Sequence, residues 1–262
     1  MSKRMLSALN YLTDALEVFQ GKPYIYEEEG VRRLYFDSLA VQSSMRVSDP
    51  YALDLSYTES MMGFLLFNSE PRHILIVGLG GGSLSKYCHQ QFPQARITTL
   101  EINKDVIALR DEFLIPPDSE LFQIVQADAA EYLAINELQA DVILLDGYDA
   151  CGLPDALCAE AFYSHCWKAL GAEGVLVANL WGGGTGDRGV YLDRLRGIFN
   201  GRVWWSKPRN SSNLIAFALK SRRYYPQWSR LMRKAQVLGN RYGLDLSRVV
   251  KNMRLRPDPD QD

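Results

Sequence analysis

An apolar run, His73-Ile-Leu-Ile-Val77, halts at Gly78-Leu79-Gly80-Gly81-Gly82 and gives way at Ser83 to a helix-like pattern. Few arrangements satisfy that order. Near-continuous hydrophobicity suits a strand covered on both faces, the condition of a parallel sheet between helices. The glycines permit a tight turn, and the helix behind it offers unpaired N–H groups to a polar ligand. A second strand-like run ends in an acid, Glu101, about twenty residues past the turn, where a carboxylate suits a ribose with free hydroxyls. The chain reads as an α/β protein that binds a nucleotide or nucleoside.

Strand-like runs at 73–77, 96–101, 121–126, 141–146, 173–179, 202–206 and 213–219 alternate with helix-like segments. That alternation predicts a doubly wound, mostly parallel sheet. Between the last two runs Ser206-Lys207-Pro208-Arg209-Asn210 leaves room only for a hairpin, so the last strand is antiparallel. A dinucleotide dehydrogenase has an all-parallel sheet, and its glycine pattern wants a third glycine where Ser83 stands. The expected architecture is therefore a Rossmann-like sheet of the methyltransferase type.

Upstream, Met5, Leu9, Leu12, Leu16 and Phe19 recur at helical spacing over 4–19. Short strands at 24–26, 32–36 and 41–47 form a small β unit, and Asp49-Pro50 opens a predicted helix reaching about Phe67. The division expected is a small helix and β region over 1–70, a nucleoside-binding catalytic domain over 71–255, and a frayed Pro- and Asp-rich tail over 256–262.

Composition excludes several classes. With 262 residues and 47% hydrophobic content the chain can bury a full core. A net charge of -2 gives no electrostatic case for nucleic acid. The four cysteines form no Cys-x-x-Cys pair, and with three scattered histidines no metal-ligand spacing appears. That usage points to a reducing cytoplasm. Asp14 and Glu17 interrupt the apolar positions near the start, so neither a signal peptide nor a membrane span is expected.

Further acids stand at strand ends. Asp128-Ala129 follows the third run of the α/β region, where an acid can take an adenine amino group and a small residue lets the ring lie flat. Asp146 closes the fourth run, and Asp149 follows it. Each acid alone is as well explained by a helix cap or a turn. Together with Glu101 they fall at the carboxyl ends of adjacent strands, where an open parallel sheet binds ligands.

The segment DVILLDGYDACGLPDALCAEAFY, Asp141–Tyr163, resembles the catalytic segment of the spermidine synthase (polyamine aminopropyltransferase) family. That segment reads strand, Asp-x-x-Asp, a short Gly-Pro loop, then a helix containing Phe-Tyr. Asp146 and Asp149 match its acids, and Gly152 and Pro154 its loop. The likeness runs from about Tyr24 to Leu219. The family's LDG-x-x-Q appears as FDSLAVQ (Phe36–Gln42), and its Tyr-(His/Gln)-Glu as Tyr57-Thr58-Glu59. By that match Gln42, Tyr57 and Asp128 are ligand residues, beside Gly78, Gly80, Gly82, Glu101 and Ala129 for the nucleoside. The family's turn carries an Asp, which binds the donor's aminopropyl ammonium, where this chain has Gly81.

The resemblance implies transfer of an aminopropyl group from decarboxylated S-adenosylmethionine to a di- or polyamine, without a metal. It casts Asp146 as proton acceptor and Asp149 as a holder of the small-molecule amine, in a homodimer. An amine of pKa near 10.4 is neutral in only about one molecule in a thousand at pH 7.4. Proton transfer to an ordinary Asp would be uphill by roughly 9 kcal/mol, so the site must desolvate the amine or raise the acid's pKa. Two other readings stay open: a methyltransferase using S-adenosylmethionine, whose own carboxylate suits the loss of the turn Asp, and a nucleoside-binding protein without catalysis. Trp181, after the fifth run, either walls the cleft or packs in the core at the sheet end.

Overall fold

The computed structural model describes residues 22–36, 41–149, 152–181, 188–221 and 227–254. The expected helix over 4–19, the tail over 256–262 and the side chain of Trp181 lie outside the described residues.

Strands β1 (Tyr24–Glu28), β2 (Val31–Tyr35) and β3 (Val41–Arg46) form an antiparallel meander. Glu29 and Gly30 both take positive φ, 51° and 74°, which is what a two-residue hairpin needs to match strand twist. Tyr24 and Tyr35 pair across it with stacked rings 5.3 Å apart.

The helix expected from Asp49 begins only at Ser56: α1 spans Ser56–Met61, followed by a 3₁₀ segment, Met62–Leu66. Asp54 holds the preceding stretch against β3, accepting from Ser44 Oγ at 2.5 Å and pairing with Arg46 at 3.5 Å. These contacts compete with helical bonding. Gly63 then lets the 3₁₀ segment approach the sheet closely, since a Cβ there would lie 2.7 Å from Phe217 Cζ.

The main sheet has seven strands in the order β6-β5-β4-β7-β8-β10-β9. They are β4 (His73–Val77), β5 (Arg96–Glu101), β6 (Phe122–Gln126), β7 (Ala140–Leu145), β8 (Leu170–Trp181), β9 (Val203–Ser206) and β10 (Asn213–Leu219). β6 through β8 pair parallel, whereas β10 runs antiparallel to both neighbours and so sits inside the sheet, leaving β9 at the edge. The strand last in the chain is thus the antiparallel one. Connections are α2 (Ser83–Gln91), α3 (Lys104–Ile107), α4 (Ala129–Ile135), α5 (Asp155–Cys158), α6 (Glu160–Ala169) and α7 (Arg188–Ile198), with α8 (Trp228–Tyr242) and α9 (Leu246–Asn252) closing the chain. Between β5 and β6 only the single turn of α3 forms, followed by turns to Phe113, and Pro116-Pro117, which lack N–H groups, bar a helix in the approach to β6.

Alternate residues of β4 face two cores. Ile74 and Ile76 pack with α1, α2, α8 and α9, while Leu75 and Val77 join the side built by α4 to α7. Burial on both faces is why the strand reads as an unbroken apolar run. The strand order reverses between β4 and β7, so the crevice of an open α/β sheet falls there.

Candidate active site

At that crevice β4 and β7 approach so closely that only glycine fits. Gly78 takes φ 95°, and a Cβ on it would stand 2.3 Å from the backbone oxygen of Asp146. Gly78 N–H donates to Leu100 O and Asp146 N–H to Val77 O, both at 2.9 Å, so three strand ends are locked in register. Above them opens a cavity of about 620 Å³, large enough for a drug-sized ligand.

Gln42, Tyr57, Gly78, Gly80, Glu101, Asp128, Ala129, Asp146 and Asp149 all line the cavity. Gly82 does not line it. That residue is the left-handed cap of α2, and a Cβ there would meet Ile115 at 2.7 Å. The lining carries four carboxylates, Glu101, Asp128, Asp146 and Asp149, and among the described residues no Lys, Arg or His.

Glu101 is fixed at both oxygens. Oε2 accepts from Leu79 N–H at 2.9 Å and Oε1 from Asn103 N–H at 2.8 Å, which ties the glycine turn to the end of β5. Each oxygen keeps a lone pair for a ligand hydroxyl. Glu101→Ala is expected to weaken methylthioadenosine binding by about 1.5–3 kcal/mol, the worth of hydrogen bonds to a charged acceptor. Isothermal calorimetry on the folded variant measures this, and unchanged affinity would remove Glu101 from the nucleoside site. Asp128 is the N-cap of α4, its Oδ1 accepting from Ala130 N–H at 2.7 Å and Glu131 N–H at 3.3 Å. The cap role open from sequence is thus realised, on a residue that also lines the cavity.

Asp146 lines the cavity just past the end of β7, enclosed by protein. Asn179 donates to its Oδ1 at 2.8 Å and Tyr57 O–H to its Oδ2 at 3.2 Å. Desolvation pushes its pKa up to about 6, against the opposing pull of those hydrogen bonds. Burial, then the charge of Asp146, push the Tyr57 hydroxyl well above its ordinary range, so the phenol stays protonated as a donor. Asp149 is exposed at the rim, and its Oδ1 accepts from Gly152 N–H at 3.0 Å, two residues before Pro154, the cap of α5.

The turn position of Gly81 leaves no room for the acid that relatives of the resembled family carry. A Cβ there would stand 2.8 Å from both the Phe113 ring and Ser43 Oγ. Phe113 is held by Lys86, a fully buried residue whose ammonium donates to Phe113 O at 2.6 Å and whose pKa burial lowers to about 8. Thr58, too, turns inward to its own helix, donating to Leu55 O at 2.6 Å.

Sequence reading missed Asn179, Asn213 and Tyr148, all of which line the cavity. A signal for Asn179 existed: it is the single polar residue in the run Val175–Trp181. Asn213 has none, because it reaches the site only through the antiparallel pairing of β10 with β8.

The model of the spermine/spermidine synthase domain matches residues 54–180. The chain is 38% identical to the polyamine aminopropyltransferase of Chromobacterium violaceum over 88% of both chains, and 38% identical to that of Neisseria meningitidis over 88% of both. Among solved structures it is similar to a probable spermidine synthase from Corynebacterium glutamicum, with TM-score 0.67 at 18% identity over 81% of this chain and 83% of that one. Human methyltransferase-like protein 13 in complex with SAH gives TM-score 0.64 at 23% identity over 79% and 96%. At these identities the structural likenesses establish the fold alone.

Proposed function

Because this chain belongs to the spermine/spermidine synthase family, we propose that it moves an aminopropyl group from decarboxylated S-adenosylmethionine to a di- or polyamine. One observation carries the reading: the cavity is lined by four carboxylates and, among the described residues, no cationic side chain. Donor and acceptor are both cations, and such a lining attracts them while offering no ion-pair partner to a carboxylate.

The residues fit the nucleoside. Glu101 meets the ribose hydroxyls, Asp128 and Ala129 the adenine, and the glycine turn the backbone side, with Gln42 beside it from β3. When bound, the sulfonium nucleoside supplies an electrophilic carbon and a neutral thioether as leaving group. Asp149 at the rim holds the cationic acceptor, and Asp146 with Tyr57 receives the amine that attacks. Against an amine pKa near 10.4, raising Asp146 to about 6 lowers the proton-transfer gap from roughly 9 to roughly 6 kcal/mol. In the absence of a turn acid at Gly81, the same carboxylates meet the donor's own ammonium. The reading includes a cytoplasmic homodimer, and free thiols at Cys88, Cys158 and Cys166 suit a reducing compartment. Among the described residues no helix is long and apolar enough to cross a membrane.

Calorimetry with the two donors tests it. Decarboxylated S-adenosylmethionine is expected to bind at least tenfold tighter than S-adenosylmethionine, the loss of about 1.4 kcal/mol or more when an anion enters an acidic cavity unpaired. The methyltransferase reading draws on the glycine at position 81. Equal or tighter binding of the carboxylated donor, with methyl transfer and no aminopropyl transfer to putrescine, would establish it instead.

A further inference from the structure

We infer that Ser211, Asn213 and Asn179 form a one-way hydrogen-bond relay that reserves Oδ1 of Asp146 as an acceptor, so that Oδ2, beside Tyr57, takes the proton of the attacking amine. The inference rests on the aminopropyl-transfer reading for its chemistry and on hydrogen-bond direction for its geometry.

The direction is set from the β9–β10 hairpin inward. Ser211 Oγ accepts from Asn213 N–H at 3.1 Å and turns its own proton to Asn213 Oδ1 at 2.6 Å. Asn213 is thereby oriented with its amide N–H toward Asn179 Oδ1, at 2.8 Å. Asn179 in turn can present only N–H to Asp146 Oδ1, again at 2.8 Å. Turning Asn179 over would set oxygen against oxygen at Asp146 and hydrogen against hydrogen at Asn213, and turning Asn213 over would set its oxygen against that of Asn179 and take the acceptor from the Ser211 hydroxyl. Asn179 is 2% exposed, so water does not offer it other partners.

A proton on Oδ1 would have to take its second lone pair and would weaken the bond from Asn179, whose acceptor would no longer be charged. Oδ2 has no such obstacle. Its partner is the Tyr57 hydroxyl, at the longer distance of 3.2 Å, and a phenol can rotate its hydrogen aside and accept from a protonated carboxyl. The hairpin reaches this side as well, since Ser56 Oγ, on the helix that carries Tyr57, donates to Arg209 O at 2.5 Å. One hairpin therefore sets the partners of both oxygens. In the step itself the ammonium N–H bond breaks and its proton goes to Oδ2. The freed electron pair on nitrogen forms the new C–N bond as the C–S bond breaks, and that pair leaves on sulfur as a neutral thioether.

The groups facing Asp146 are Tyr57 from α1, Tyr148 and Asp149 from its own loop, and Glu101 and Asp128 across the cavity. All remain when Asn213 is changed. Asn213→Leu removes the donor without adding charge, Asn213→Ala is a second neutral variant, and Asn213→Asp keeps the shape but lets Asn179 turn over. The readout is the Asp146 carboxyl titration by ¹³C NMR in the free protein, its resonance identified by loss in Asp146→Asn. Without Asn213 the Asn179 amide is free to turn and accept from a protonated Oδ1, which stabilises the acid form and raises the midpoint, here by about one unit. The acid limb of kcat/KM is expected to move with it, and kcat to fall about tenfold with both KM values held. An unmoved midpoint in the folded neutral variants overturns the relay, and so does a shift in Asn213→Asp alone, which is added charge acting through space. Wild-type protein that transfers no aminopropyl group overturns the proposed function instead, and the titration still decides the relay.

Discussion

Asp146→Asn is expected to lower turnover by about 10² or more, the usual scale for losing a positioned base, with methylthioadenosine affinity nearly untouched. The amide keeps the shape and can still accept from Asn179, so the fold and the nucleoside contacts at Glu101 and Asp128 stay in place. What it loses is a site for the amine's proton and a charge opposite the ammonium. The pH profile gives a second measure. Burial raises the Asp146 pKa, to about 6, so the carboxylate is protonated as pH falls through that value and can no longer accept. Wild-type kcat/KM should therefore fall below about pH 6, and the Asn variant should lose that limb along with its rate. Turnover within tenfold of wild type would remove Asp146 from the chemistry. Asp149→Asn, by contrast, should act mainly on the KM of the amine, since it removes attraction for the cation at the rim.

Gly78→Ala is expected to cost roughly 2–4 kcal/mol of stability and to abolish nucleoside binding. Its Cβ would stand 2.3 Å from Asp146 O and 2.8 Å from Asp146 C, both backbone atoms, so β4 and β7 would have to part at the crevice. Gly80→Ala is the control. There the nearest atom to a new Cβ is Ser43 Cβ at 3.5 Å, and only the left-handed φ of 51° is penalised, by about 1–2 kcal/mol. Urea unfolding of the two variants measures the difference. Equal costs would mean that conformational strain, and not the closeness of two strand ends, makes glycine necessary at position 78.

The sequence alone determined the sheet and the acids on it. Strands buried on both faces must be apolar throughout, as His73–Val77 is, and a glycine-rich turn has few uses after such a strand. Lys207–Asn210 is too short for a crossover helix, which makes the last pairing antiparallel. Glu101, Asp128, Asp146 and Asp149 were legible because parallel strands bring their carboxyl ends to one edge, whatever lies between them. The start of α1 was not legible, because Ser44 and Arg46 hold Asp54 from another strand and outweigh the local Asp-Pro signal. The place of Gly82 in the turn is plain from sequence, whereas its packing on Ile115 depends on a loop more than thirty residues away. The state of Asp146 belongs wholly to the tertiary structure. Its raised pKa comes from protein packed around it, and its partners Tyr57 and Asn179, with Asn213 behind Asn179, arrive from a helix and two antiparallel strands far apart in the chain. Desolvation and hydrogen-bond direction are set by what surrounds a group in space, and residue spacing along one chain carries neither.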